Sequence, residues 1–260
     1  MGKYNLNGGI GCSRDTILKQ NNLRTILKTH FAICKSIMAT KYYANKTYQW
    51  FDLTAGDGLN PEDGTSGSAL IFYEEAILAN IIFNAVFIDK SEQNCKLLTE
   101  RLPERKDITI ICGDHKDIMP KFMSNRKQFN LGFVYMDGNG IPNFNILSKI
   151  SESNWFKNID LLINCPATAI KRSRSNKPYL SENIKSINKK DWVIRTPAGP
   201  WQWSLLIGSN WHNFPAWKKH DFYKITSDTG QMVFNVLNKS KRERDGCQMN
   251  MFHTELIRSI

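Results

Sequence analysis

Between Asn22 and Thr40, apolar residues recur at Leu23, Ile26, Leu27, Phe31, Cys34, Ile37 and Met38. That spacing lays one apolar stripe along an amphipathic helix. Beyond a polar break at Asn45-Lys46 the pattern shortens to compact apolar runs, each followed by a helical stretch. Strands are predicted at Tyr48–Leu53, Ala85–Ile88, Ile108–Cys112, Leu131–Met136 and Ile159–Asn164. Helices are predicted at Ser68–Ile82 (with Ser66 or Ser68 as cap), Ser91–Arg101, Lys116–Met123 and Phe144–Ile150. Strands that are apolar throughout are those covered by helices on both faces. The alternation predicts a doubly wound α/β fold around a mostly parallel sheet.

The pattern changes after Asn164. Residues 171–195 carry Lys171, Arg172, Arg174, Lys177, Lys185, Lys189, Lys190 and Arg195 against only Glu182 and Asp191, and read as a basic insertion. A Trp-rich stretch follows, with strands expected at Ser204–Ile207 and Gln231–Leu237. These bring the expected sheet to seven strands. The organisation so read is an N-terminal arm and helix (1–45) packed on a core domain (46–238), then a charged tail (239–260).

Composition narrows the class of partner. The net charge is +11, which points to a polyanion, nucleic acid first. No apolar run approaches the ~20 residues of a membrane span, so no membrane partner is expected. The cysteines at 12, 34, 95, 112, 165 and 247 are scattered, with no C-x-x-C pair. Neither a metal site nor a disulfide framework is expected, and the compartment reads as cytoplasmic.

Candidate chemistry sits at the ends of the predicted strands. Asp52-Leu53-Thr54-Ala55-Gly56-Asp57-Gly58 closes the first; Gly56 and Gly58 permit a tight turn and close approach of a ligand. A dinucleotide fingerprint would need a third glycine and a helix starting at once. Here Leu59-Asn60-Pro61 and a polar loop intervene, so a cofactor without a diphosphate fits better. Asp89 ends the second strand, where a carboxylate can accept from ribose hydroxyls. Cys112-Gly113-Asp114-His115 ends the third, where a side-chain oxygen can take the adenine amine, with His115 beside it. Asn164-Cys165-Pro166 reads as a strand-ending turn set by Pro166.

These segments, with Thr29-His30, Gly67-Ser68-Ala69-Leu70-Ile71 and Val134-Tyr135-Met136-Asp137, resemble the RlmJ-type ribosomal-RNA adenine-N6 methyltransferases and, equally, the three-Cys-motif partner (TcmP) proteins. The likeness spans roughly residues 25–165. It implies S-adenosylmethionine (AdoMet) as cofactor, held by His30, Thr54, Ser68, Asp89 and Asp114. It also implies that Asp137 occupies the position of the aspartate that holds the target amino group. One departure stands out: N6-adenine enzymes carry Asp-Pro-Pro-aromatic, and this chain reads Asp137-Gly138-Asn139-Gly140. The carboxylate is kept, while both prolines and the stacking ring are missing.

The resulting expectation is an AdoMet-dependent methyltransferase acting on nucleic acid. Asp137 and Asn139 are its catalytic candidates. Asp52, Gly56, Gly58 and His115 join the implied cofactor residues, and Lys171, Arg172, Arg174 and Lys177 are the nucleic-acid contacts. The alternative is a non-catalytic AdoMet-fold protein that binds nucleic acid or a partner enzyme.

Overall fold

A computed structural model describes residues 14–40, 46–60, 63–123, 130–138, 140–172, 179–196, 203–210 and 217–239. In chain order its elements are α1 (Arg14–Met38), β1 (Tyr48–Asp52), α2 (Ser68–Leu78), β2 (Phe83–Asp89), α3 (Glu92–Arg101), β3 (Ile108–Cys112) and α4 (His115–Ile118). There follow β4 (Leu131–Met136), α5 (Phe144–Glu152), β5 (Asp160–Pro166), α6 (Ala167–Lys171), α7 (Tyr179–Lys185), β6 (Asp191–Arg195), β7 (Trp203–Ser209), β8 (Phe222–Lys224) and α8 (Asp228–Asn238). Among the described residues no helix is long and apolar enough to cross a membrane.

The strands form one sheet of eight in the order β3-β2-β1-β4-β5-β7-β6-β8. β1 to β5 run parallel. β7 is antiparallel to β5 and β6, and β8 to β6. Side chains alternate between two buried layers, as the two-residue period of a strand requires. Trp50, Phe133 and Tyr135 enter one layer beneath α1, α2 and α3. Their neighbours Phe51 and Val134 enter the other, against α5, α7 and α8. Phe72 of α2 is fully buried and stacks on Trp50 at 4.6 Å and 11°. Burying one such ring contributes roughly 1.5–3 kcal/mol, so these aromatic layers carry much of what clamps the helices to the sheet.

Three expectations are corrected. The sheet has eight strands, not seven. Residues 231–237, read as its last strand, are helical within α8: Val233, Phe234 and Leu237 are buried, at helical spacing. Ser227 caps that helix by accepting from Gly230 N at 3.3 Å. A short run of mixed apolar residues satisfies both periods, and the cap decides. Nor is 171–195 a surface insertion. It supplies α7 and also β6, which sits within the sheet between β7 and β8, with Trp192, Val193 and Ile194 buried. Lys189, one of the basic residues of that expected insertion, is buried, and its ammonium donates to the carbonyls of Phe156, Lys157 and Ile159 at 3.1, 3.0 and 2.6 Å. Burial pushes its pKa down to about 8.

The first helix also begins earlier than its apolar stripe, at Arg14 rather than Asn22. Neither Ser66 nor Ser68 caps α2; its N-cap is Gly67, without a side-chain bond. Both hydroxyls are used elsewhere: Ser66 donates to Glu74 and Ser68 to Asp52.

Candidate functional site

In an open parallel sheet, ligands bind outside the carboxyl ends of the strands, where the strand order reverses. Here that point lies between β1 and β4: β1 is flanked by β2 on one side and β4 on the other. Asp52 ends β1, Asp89 ends β2, and Asp137 follows β4. Three carboxylates therefore gather at one edge.

The turn after β1 is built from its own polar groups. Asp52 accepts from Thr54 N at 3.0 Å and from the Ser68 hydroxyl at 2.5 Å. Gly56 N donates to Asp89 at 3.0 Å, tying the β1 turn to the end of β2. Gly56 has φ +65 with open space above it, as a close-approach position needs. The predicted gap before the next helix is present, since α2 begins only at Ser68. Asp89 also accepts from Ser91 N at 2.9 Å and Asn94 Nδ2 at 3.1 Å. Three protein donors thus leave one of roughly four acceptor positions on that carboxylate, room for one hydroxyl rather than two.

Asp114 caps α4 by accepting from Lys116 N at 3.0 Å, a bond that lowers its pKa. His115 is half-buried, lies 3.4 Å from Asn143 Nδ2, and is held by burial below the ordinary histidine range.

Asp137 is the most heavily bonded of the set. Its carboxylate accepts from the Tyr135 hydroxyl at 2.9 Å and from Asn164 Nδ2 at 2.7 Å, and is paired with the ammonium of Lys19. Its backbone N–H donates to Thr54 Oγ1 at 3.1 Å. Sequence reasoning missed these partners. Tyr135 was recoverable, because residues two apart on a strand share a face. The sequence reads Asn164 only as part of a strand-ending turn, yet β4 and β5 are adjacent and parallel, so their ends meet. Lys19 had no local signal; it arrives because α1 starts above this edge.

His30 is not part of this constellation. Its ring bonds Tyr48 Oη at 2.7 Å and Asp160 at 3.2 Å and stacks on Phe133 at 3.8 Å. Tyr48 and Asp160 open β1 and β5, at the amino end of the sheet. The reason is length: the eleven helical steps from Lys19 to His30 span about 16 Å, as long as a five-residue strand. Asn139, Arg174 and Lys177 lie outside the described residues, as does the side chain of Lys171; Arg172 is exposed just beyond α6.

Crowding of carboxylates has a measurable consequence. Burial, and then the charges of Asp137 and Asp89, push the Asp52 carboxyl up to about 7 against the pull of Ser68 and Thr54. A carboxyl raised from its unfolded value of about 3.9 favours the fold at pH below that value. This advantage is lost as pH rises through about 7. Asp52→Asn removes the titration while keeping the shape. The variant should match the parent near pH 4 and melt higher at pH 8, by on the order of 5–10 °C. Calorimetric scans at the two pH values check this, and an equal difference at both would show that Asp52 does not titrate in this way.

No protein-family model matches the sequence, and no curated protein sequence matches it. Solved structures do. A Legionella pneumophila protein of the family DUF519 superposes with a TM-score of 0.50 at 13% identity, covering 74% of this chain and 88% of that one. A probable spermidine synthase from Corynebacterium glutamicum gives 0.48 at 11% identity over 84% and 70% of the two chains. M. jannaschii TYW2, in complex with AdoMet, gives 0.43 at 15% identity over 77% of each. The likeness to the Legionella protein is one of fold.

Proposed function

We propose that this protein is an AdoMet-dependent methyltransferase acting on nucleic acid, with Asp137 orienting the methyl acceptor. The observation that carries the reading is the meeting of Asp52, Asp89 and Asp137 around the Gly56 turn at the switch point. The finer kinship with RlmJ-type or TcmP proteins belongs to the same proposal.

The residues fit the cofactor. AdoMet carries a sulfonium and an ammonium, and the three clustered carboxylates place negative charge in excess where Asp52 is already buried. Asp89 keeps one acceptor position for a ribose hydroxyl, and Asp114 lies one strand further along for the adenine amine. Thr54 and Ser68 hold Asp52 and Asp137 in place. A dinucleotide suits the site less well: the reversed β7 stands between β5 and β6, and no helix N-terminus follows Gly58 to meet a diphosphate.

When bound, AdoMet supplies an electrophilic methyl group. The protein's part is then to position the acceptor and give its proton a route out. Asp137, fixed by Tyr135 and Asn164, is placed for both. Support for a nucleic-acid substrate comes from the net charge of +11 and from Arg172, exposed just beyond α6, the helix that follows β5. One observation favours the non-catalytic alternative: Lys19 occupies Asp137.

Calorimetric titration with AdoMet tests the cofactor half of the reading. At ~100 times its dissociation constant AdoMet should stabilise the protein by about 2.7 kcal/mol, and Asp89→Ala should remove most of that gain. Incubation of total RNA and genomic DNA with tritiated AdoMet tests the other half. Binding without any labelling would leave the partner-protein reading standing in place of the enzyme.

A further inference from the structure

Cys95 of α3 and Cys112 at the end of β3 flank the same residue, Asp89. Both are free thiols, Cys95 buried and Cys112 exposed. Cys112 is the register partner of Asp89 where β3 pairs with β2. The Cys95 thiol donates to the Asp89 carbonyl oxygen at 3.3 Å, and the same oxygen accepts from Gly113 N at 2.9 Å. The two thiols are within hydrogen-bonding reach of one another. Burial, joined by the Cys112 thiol, pushes Cys95 up to about 11. The exposed Cys112 is therefore the thiol that an oxidant meets first. By contrast, Cys34 and Cys165 are both buried, and burial holds each of their thiols above its ordinary range.

We propose that Cys95 and Cys112 form a dithiol–disulfide switch that governs the hold of Asp89 on a bound nucleoside. With hydrogen peroxide as oxidant, the Cys112 sulfur attacks one peroxide oxygen. The O–O bond breaks, leaving a sulfenic acid and one water. The Cys95 sulfur then displaces that hydroxyl as a second water, and the S–S bond forms. The two thiols give up two electrons and two protons, and the peroxide takes them all. Bonded sulfurs stand closer than hydrogen-bonded ones, so oxidation draws α3 toward the end of β3. Cys95, without its proton, no longer donates to Asp89. Ser91 N and Asn94 Nδ2, which hold the Asp89 carboxylate at 2.9 and 3.1 Å, belong to the cap and first turn of the same helix and move with it. The acceptor position left on Asp89 is then misplaced for a ribose hydroxyl. The inference rests on the cofactor reading above for what Asp89 holds, and adds how that hold is regulated.

The test uses the full chain, oxidised with a small excess of hydrogen peroxide, then alkylated and digested without reductant. Mass spectrometry should find a peptide joining Cys95 to Cys112, and dithiothreitol should abolish it. Calorimetric titration should show AdoMet affinity about tenfold lower in the oxidised protein, an ordinary size for coupled sites, and restored by dithiothreitol. By reciprocity, saturating AdoMet should make the pair about tenfold harder to oxidise in glutathione buffers, raising its potential by about 30 mV. Cys112→Ser, at an exposed position, should bind AdoMet as the reduced parent does and keep that affinity after peroxide. Absence of the Cys95–Cys112 peptide, an affinity that oxidation leaves unchanged, or an equal loss in oxidised Cys112→Ser protein overturns the switch. The reduced parent tells the two proposals apart. If it binds AdoMet and no cross-link forms on oxidation, the switch falls and the cofactor reading stands. If the cross-link forms but neither state binds AdoMet, the cofactor reading falls and takes the switch with it.

Discussion

Asp137→Ala is expected to lower methyl transfer to nucleic acid by 10²–10⁴-fold, the usual worth of a group that positions an acceptor and takes its proton. AdoMet affinity should change little, because the proposed cofactor contacts are Asp52, Asp89 and the Gly56 turn. The substitution strips three donors, Tyr135, Asn164 and Lys19, of their common acceptor. Tyr135 and Asn164 are buried, so some loss of stability accompanies the loss of rate. Asp137→Asn preserves the shape and isolates the charge. Labelling with tritiated AdoMet, beside calorimetric titration of each variant, checks the result. Full labelling by the alanine variant would make Asp137 a structural residue.

Gly132→Ala is expected to prevent folding. Gly132 lies within β4 at φ +151, and a methyl group there would stand 1.7 Å from the Gln49 carbonyl oxygen of β1. Backbone meets backbone, so no side chain can swing away. β4 is paired on both sides, to β1 and β5, and cannot shift without breaking one ladder. A cost beyond about 5 kcal/mol consumes most or all of the 5–15 kcal/mol that holds a typical domain. Gly140→Ala is the control: nothing lies within 4 Å of its added methyl, and stability should stay within about 0.5 kcal/mol. Circular dichroism and thermal melts of both variants decide the matter. A Gly132→Ala protein that melts with the parent would show that β4 and β1 are not held in this register.

Much of the core was legible without coordinates. The runs at 48–53, 108–112 and 131–136 match β1, β3 and β4 to within a residue, because a strand buried on both faces leaves a continuous apolar signature. The chemistry at their ends was legible for the same reason, as each acidic residue closes an apolar run. The C-terminal third read less well. β6 was hidden inside a run of basic residues, whose lysines and arginines flank the apolar Trp192-Val193-Ile194, and α8 was taken for a strand.

By itself, then, the sequence determined which segments are strands and which helices through the first five strands. It also determined that Asp52, Asp89, Asp114 and Asp137 stand at strand ends. Those are local properties, written in a two-residue or 3.6-residue period and in turn residues. Only the tertiary structure decided which ends meet. It brought Asn164 to Asp137 by pairing β4 with β5, and drew Lys19 to the same carboxylate by laying α1 across the sheet. It also carried His30 to the opposite edge, since α1 spans the sheet from one end of its strands to the other. Strand order and the placement of a helix along a sheet are set by packing between residues far apart in the chain, and no local period records them.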